Sequence, residues 1–331
     1  MRVLITGGTG FIGTALSLAY LKDGHEVVVL AREATPAERE NAAELRAAGA
    51  RVVVASVTEA DEVRRALEGV QVVHHIAAAM REANIPDSVF WETNVQATER
   101  LLKASRDARV GRFVYCSSIG AFGKAPPKPA TEETPCAPVD IYQKTKKAAE
   151  ELCLRYRSET GFPISIVRPA EVYGPRDRRL LKLFRAVGSR KFVMIGGGRN
   201  EHHLVYVDDL VSGMRLAEEK DAALGEIFVL AGERSIDTQG LVRTVASALG
   251  VDPPRLRIPL GPVVAAAVAC EAICRPFGIQ PPIYPRRVDF FRSDFSFDIS
   301  KAKRVLGYRP QFDLPAGLRS TAEAYRARGL M

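Results

Sequence analysis

The N-terminal stretch Met1–Gly13, reading MRVLITGGTGFIG, decides how the rest of the chain is organised. Val3, Leu4 and Ile5 form a short apolar run, the signature of a strand buried on both faces. Gly7, Gly8 and Gly10 follow at once, and Phe11, Ile12, Ala15, Leu16, Leu18, Ala19 and Leu21 then recur at helical spacing. A strand, a glycine turn and a helix N-terminus in that order make the setting of a dinucleotide-binding turn. Gly7 permits the tight turn, Gly10 lets backbone N–H groups approach a pyrophosphate, and Gly13 lets the helix pack closely on the strand. The N–H groups and positive dipole end of the helix then attract the anion. The spacing, Gly7-x-x-Gly10-x-x-Gly13, is one residue longer than the GxGxxG form, and on its own an ordinary glycine-rich turn would satisfy it.

Composition narrows the class. The 331 residues can bury a large core, as one big domain or two cooperating lobes. Hydrophobic residues at 47% and charged residues at 26% are ordinary for a globular protein. Five cysteines, odd in number and without a CxxC pair, argue for a reducing compartment and against a disulfide framework or a zinc site. Cys270 and Cys274, one helical turn apart, read as small core residues. The chain opens on a strand without a signal sequence, and the apolar segment Ile258–Cys270 is broken by prolines before Glu271. The expectation is a cytoplasmic protein. The net charge of +8 is spread among acidic residues without interleaved aromatics, which excludes a nucleic-acid groove. It leaves room for an anionic small molecule or for peripheral contact with an anionic membrane surface.

Beyond the first helix, strand and helix signals alternate. His25–Arg32 reads as a second buried strand, and its end bears on cofactor type. An acidic residue there would accept the 2′-OH of NAD, but the chain has Ala31 and Arg32. A guanidinium can hold a 2′-phosphate, so Arg32 favours NADP(H), with NAD(H) the other option. Helix Ala37–Ala48, strand Arg51–Ala55, helix Glu59–Leu67 and strand Val70–Ile76 follow. The small residues Ala77, Ala78 and Ala79 then leave room for a flat ligand at the switch point of a doubly wound sheet. His74 and His75 read as strand residues facing opposite sides. A long helix over Asp87–Ala108 carries Asn94, a poor helix former, solvated or hydrogen-bonded to backbone near the site.

Strand Arg112–Cys116 delivers Ser117 and Ser118 to its C-terminal end, where ligand-facing residues collect. Ala125–Pro138, with five prolines, reads as an irregular loop and a candidate flap. Asp140 caps a helix over Ile141–Ser158, which places Tyr142 and Lys146 one turn apart on one face. A phenol ordinarily loses its proton near pH ~10 and is a poor base at neutrality. A neighbouring ammonium favours the phenolate and brings it into a useful range. A sixth strand, Pro163–Val167, runs into Arg168-Pro169-Ala170-Glu171-Val172-Tyr173-Gly174-Pro175. Such βα alternation means a parallel sheet.

Together these motifs resemble the extended short-chain dehydrogenase/reductase superfamily, the group described as NAD-dependent epimerase/dehydratase. The resemblance spans nearly the whole chain: TGGTGFIG at Thr6–Gly13, the small run at Ala77–Ala79, Asn94, Ser117–Ser118, YQKTK at Tyr142–Lys146, and RPAEVYGP at Arg168–Pro175. VYVDDL at Val205–Leu210 and DISKAKRVLGYRP at Asp298–Pro310 continue it. It implies an α/β fold with a Rossmann-type doubly wound parallel sheet and a smaller, mostly C-terminal substrate lobe. The dinucleotide domain would be residues 1–174 with 204–232 returning to it, and the lobe 175–203 with 233–331.

By the same resemblance Tyr142 is the general acid/base, Lys146 holds the nicotinamide ribose, and Ser118 steadies the reacting oxygen, with Ser117 as its fallback. Cofactor contacts fall on Gly7, Thr9, Gly10, Phe11, Ile12, Gly13, Arg32, Ala77, Ala78, Asn94, Ser117, Tyr142, Lys146, Pro169 and Val172. A homodimer is expected by analogy. Two departures stand out. Ala55 and Ser56 replace a Gly-Asp pair near the adenine, and Glu171 replaces an asparagine common in nucleotide-sugar enzymes.

The remaining third reads as the lobe. It has a basic amphipathic helix over Arg178–Ser189, a polar turn at Arg199–His203 with His202 and His203 orienting or at the surface, and a last sheet strand at Ile227–Leu230. A helix over Leu241–Leu249 follows. The mostly apolar stretch Leu256–Cys274 reads as a helix covering the pocket, or more sharply as a greasy wall or membrane-facing lip. Three functions compete. One is an oxidoreductase of a rather apolar alcohol or ketone, like the 3β-hydroxysteroid or 4α-carboxysterol dehydrogenase branch. Another is a nucleotide-sugar epimerase or dehydratase, with Arg176, Arg178 and Arg179 serving a diphosphate. The third is a non-catalytic nucleotide sensor, which the complete Ser118, Tyr142 and Lys146 set disfavours.

Overall fold

In the computed structural model, residues 1–331 are described except 81–84, 124–125, 275–276, 278, 280 and 285–287. The dinucleotide half alternates β1 (Arg2–Thr6), α1 (Phe11–Lys22), β2 (Glu26–Ala31), α2 (Pro36–Ala47), β3 (Arg51–Val54), α3 (Ala60–Ala66) and β4 (Val72–His75). Then come α4 (Asp87–Trp91), a π-helical turn (Glu92–Gln96), α5 (Ala97–Asp107), β5 (Arg112–Cys116), α6 (Ile141–Thr160), β6 (Ile164–Pro169) and β7 (Glu171–Tyr173). The chain continues through α7 (Leu181–Gly188), β8 (Met194–Ile195), β9 (Glu201–His202), β10 (Leu204–Tyr206), α8 (Val207–Glu219) and β11 (Ile227–Leu230). It ends with β12 (Ile236–Asp237), α9 (Thr238–Leu249), β13 (Arg257–Ile258), α10 (Leu260–Cys274) and α11 (Leu314–Ala327).

The central sheet has seven parallel strands in the order β11-β6-β5-β4-β1-β2-β3. Parallel strands covered on both faces need no polar side, which is why VLI of β1 and VVVLA of β2 are continuously buried. Strand order reverses between β1 and β4, so the crevice beyond their C-terminal ends lies between Gly7 and Ala77. Two buried apolar clusters flank the sheet, and a third, around Tyr173, Phe184, Leu241 and Tyr325, packs α7, α9 and α11 together. The Asp140 cap is a full capping box with Gln143.

Several expectations fail in instructive ways. The helix expected over Asp87–Ala108 is interrupted by the π-turn that holds Asn94. The basic helix is shorter, Leu181–Gly188, and the polar turn is strand β9, paired antiparallel with β12. His202 and His203 are buried, not at the surface. The proline-rich loop, of which Ala125 lies outside the described residues, is pinned rather than loose. Ala137 bridges Gly123, the fully buried Ala130 bridges Phe297, and the Val229 N–H donates to Glu132 Oε1 at 2.8 Å. Its prolines forgo ladder bonds, so it is held by neighbours instead.

The largest departure is α10. An apolar run is expected to be buried, yet Ala267 is its single buried residue, and Cys270 and Cys274 are half-exposed rather than core. No described helix is long and apolar enough to cross a membrane.

Candidate active site

The glycine turn is built by exclusion. Gly7 has φ +68°, and a Cβ on it would lie 2.8 Å from the Ala77 nitrogen. A Cβ on Gly13 would lie 2.4 Å from the Gly7 carbonyl oxygen, so its tight packing is against the turn itself. Gly8, which the spacing rule does not single out, is equally constrained, because its Cβ would meet Val29 of β2 at 2.6 Å. Helix α1 starts at Gly10 with no side-chain cap and no acidic residue in its first turn. Its positive end is therefore not neutralised from within its own first turn, the condition for binding an anion. The arrangement fits a dinucleotide pyrophosphate.

Around this turn the expected residues take up definite places. Thr9 is buried, its hydroxyl donates to the Arg32 carbonyl at 3.1 Å, and its own carbonyl accepts from Asn41 Nδ2 at 2.8 Å. Arg32 itself is exposed at the end of β2, and among the described residues it makes no ion pair. Phe11 and Ile12 are half-buried, and Pro169 and Val172 are buried at the ends of β6 and in β7.

His75, unassigned from the sequence alone, ties β1 to β4. Thr98 donates to the Asn94 carbonyl at 2.8 Å, so its oxygen accepts from His75 Nε2 at 2.8 Å. His75 Nδ1 then accepts from the Thr6 hydroxyl at 2.7 Å, while Thr6 Oγ1 accepts from the Ile76 and Ala77 N–H groups. This neutral tautomer suits the site, since burial and then the charge of Lys146 push the imidazole pKa down to about 3. Asn94 takes the hydrogen-bonding option. Its Oδ1 accepts from the Ala79 N–H at 2.7 Å, and its Nδ2 donates to the Ala79 carbonyl and to Thr145 Oγ1 at 3.2 and 3.0 Å. The π-turn thus fastens the Ala77–Ala79 run to α6.

Helix α6 carries Tyr142, Lys146 and Glu150 at successive turns. Ser118 accepts from the Gly120 N–H at 3.0 Å and keeps a hydroxyl proton to donate. A Cβ on Gly120 would lie 3.3 Å from Ser118 Oγ and 3.4 Å from the Tyr142 ring, so both groups border this residue. Lys146 is buried, donates from Nζ to the Cys116 carbonyl at 2.6 Å, and stands 4.6 Å from the Tyr115 ring centroid. Burial lowers its ammonium below the usual lysine range, while Cys116, Glu150 and Cys153 pull the other way.

Ser117 turns away from this group. Its hydroxyl donates to Glu150 Oε1 at 2.5 Å, and Glu150 is clamped by Arg168 through Nε at 2.8 Å and Nη2 at 2.7 Å. Both partners are buried, and the guanidinium lies 4.6 Å from the Phe122 ring centroid beside Cys136. Sequence reasoning missed this pair; the Tyr-x-x-x-Lys-x-x-x-Glu spacing was its one visible trace.

At the lobe side, Glu171 faces His202 Nδ1 at 3.1 Å, and His202 Nε2 meets Thr238 Oγ1 at 3.0 Å. The three arginines considered for a diphosphate are already paired: Arg176 with Glu44, Arg178 with Glu40 at 3.7 Å, and Arg179 with Asp177 at 3.2 Å.

The model of the NAD-dependent epimerase/dehydratase family matches residues 3–231. Among curated proteins, a 4-hydroxy-2-methyl-3-oxo-4-farnesyl-3,4-dihydroquinoline-1-oxide ketoreductase of Stigmatella aurantiaca is 28% identical over 98% of this chain and 96% of its own. A 3β-hydroxysteroid dehydrogenase/Δ5→4-isomerase of Mycobacterium tuberculosis is 31% identical over 94% and 86%. Among solved structures, a dTDP-glucose 4,6-dehydratase of Streptomyces venezuelae with NAD bound superposes with a TM-score of 0.79 at 28% identity, covering 100% of this chain and 98% of that one.

Proposed function

This chain belongs to the NAD-dependent epimerase/dehydratase family, and from that premise we propose that it is an NADP(H)-dependent oxidoreductase of an apolar, steroid-like alcohol or ketone. The observation that carries the reading is that Ser118 Oγ and the Tyr142 ring both border Gly120, with buried Lys146 one turn along α6. Relatives named for a farnesylated quinoline oxide and for steroids support the substrate class. Solved relatives that act on nucleotide sugars keep the epimerase alternative alive, but Arg176, Arg178 and Arg179 already face carboxylates.

When bound, the nicotinamide supplies or accepts the hydride at the substrate carbon. Tyr142 gives its phenolic proton to the carbonyl oxygen in reduction and takes it back in oxidation. Ser118 donates a hydrogen bond to the same oxygen and stabilises the charge that develops there. Lys146 favours the phenolate of Tyr142 and binds the ribose hydroxyls. Gly7–Gly13 at the start of α1 would hold the pyrophosphate, Arg32 would pair with a 2′-phosphate, and Thr9, Phe11, Ile12, Ala77, Ala78, Asn94, Ser117, Pro169 and Val172 would line or brace the cleft. The division into residues 1–174 with 204–232, and a lobe of 175–203 with 233–331, follows the same reading. So do a homodimer and a cytoplasmic setting.

The test is loss of reduced-nicotinamide absorbance on adding sterol-like ketones to purified protein. Tyr142→Phe should lower kcat by about 10²–10⁴-fold and leave cofactor binding intact. Arg32→Ala should weaken NADP(H) by roughly tenfold or more and NAD(H) little, as loss of a charge-assisted pair implies. Sugar isomerisation without net cofactor turnover would overturn the substrate reading, and equal losses for both cofactors would overturn the choice of NADP(H).

A further inference from the structure

Helix α10 is attached by one stripe, and among the described residues nothing covers the opposite one. Leu260, Val263, Val264, Ala267, Cys270 and Cys274 recur every three to four residues and are the partly or fully covered positions. The outward face holds Ala265, Ala266, Val268, Ala269, Ala272 and Ile273, with Glu271 as its one charge. A helix on the surface of a protein in water normally turns polar residues outward. Here Val268 is 52% exposed and Ile273 65%. The apolar surface continues beyond both ends of the helix, with Leu256 61%, Phe277 74% and Ile279 60% exposed. A run of exposed apolar residues of this length marks an interaction surface rather than scattered surface residues.

Basic charge stands at one end of the patch. Over residues 251–259 two arginines stand against one carboxylate, Asp252, and the chain as a whole carries a net charge of +8. Arg255 and Arg257 are exposed immediately ahead of the helix, which starts where β13 joins β8. Fifteen residues rise only about 22 Å, short of the roughly 30 Å of a bilayer core, so the helix is too short to span one. Its backbone bonds are satisfied internally, so it can lie in the acyl region without leaving polar groups unpaired. An apolar stripe with two exposed arginines ahead of its N-terminal end matches a layer of hydrocarbon beneath anionic headgroups.

We propose that α10 with its flanking apolar residues is a docking surface for an anionic lipid bilayer, laid flat in the interface with Arg255 and Arg257 at the headgroups. The proposal rests on the apolar-substrate reading only for its purpose: a steroid-like substrate partitions into lipid, and docking brings the lobe to where that substrate is concentrated. Binding itself is measured without substrate, so the two readings fail separately.

The experiment is co-sedimentation of the full-length protein with vesicles of phosphatidylcholine alone and of phosphatidylcholine with phosphatidylglycerol. Binding should be confined largely to the anionic vesicles and weaken in high salt. Val268→Lys with Ile273→Lys should reduce partitioning by roughly tenfold or more, given the free energy of burying two such side chains. Arg255→Glu or Arg257→Glu should each reduce it by about fivefold or more. Circular dichroism and NADPH binding serve as controls that the variants are folded. Failure of the wild type to sediment with anionic vesicles, or variants that bind as well as it does, would overturn the proposal. A solution mass that falls to that of the single chain in Val268→Lys with Ile273→Lys would assign the face to a second copy and overturn it as well.

Discussion

Two regions of this molecule reverse the usual rule of polar outside and apolar inside. Beneath the proposed catalytic residues, Glu150, Arg168, Lys146 and His75 are all but inaccessible to water. Along α10, alanines, Val268 and Ile273 stand in it. The first region answers most of its charge from within: Glu150 answers Arg168 and Ser117, His75 answers Thr6 and Thr98, and Lys146 answers the Cys116 carbonyl, while Arg168 Nη1 is buried without a hydrogen-bond partner among the described residues. The second is incomplete, since its outward stripe has no partner among the described residues. Buried charge in a hydrogen-bonded network fixes geometry, whereas exposed apolar surface calls for something else to cover it.

The contrast can be broken most sharply at Glu150. Glu150→Ala leaves the Arg168 guanidinium buried without its counter-charge and should cost about 3–5 kcal/mol of stability in a denaturant titration. Replacing both partners, Glu150→Leu with Arg168→Met, should recover most of that loss. A single-variant loss below about 1 kcal/mol would place the pair among ordinary exposed ion pairs.

His75 gives the next effect. Its folded pKa of about 3 lies below the ordinary 6.5, so between those values the unfolded chain binds more protons. Stability should therefore fall as pH drops from 6.5 toward 3, at up to about 1.4 kcal/mol per pH unit from this group. Unfolding measured between those limits for His75→Gln should show that slope reduced; an unchanged slope would mean the imidazole is charged in the fold.

Ile273→Lys should change stability least, within about 0.5 kcal/mol, because the side chain is 65% exposed among the described residues. A loss of several kcal/mol in the isolated protein would show that the α10 face is core after all, and the comparison would collapse.

Much of the site was legible because its signals are local. The turn at Gly7–Gly13 is read from spacing, the Asp140 cap from its residue type, and the Tyr142–Lys146 face from helical periodicity. Asn94 was legible as an anomaly, a poor helix former inside a helical pattern, and it proved to sit in the π-turn that braces Ala79 and Thr145. Gly8 was not legible, because the side chain that excludes a Cβ there belongs to Val29 on the neighbouring strand. The looseness expected of the proline-rich loop was wrong for the same reason: its anchors, Phe297 and Val229, are distant in sequence.

By itself the sequence determined the alternation of strands and helices, the anion-ready start of α1 and the one-turn spacing of Tyr142 and Lys146. Each of these depends on residues within a few positions of one another. Only the tertiary structure decided that Ser117 serves Glu150 while Ser118 and Tyr142 both border Gly120, that His75 joins two strands, and that no described residue covers the outward face of α10. Hydrogen bonds between distant residues depend on strand order and helix packing. An apolar run records a tendency toward burial, and only the folded chain shows whether a partner is there to bury it.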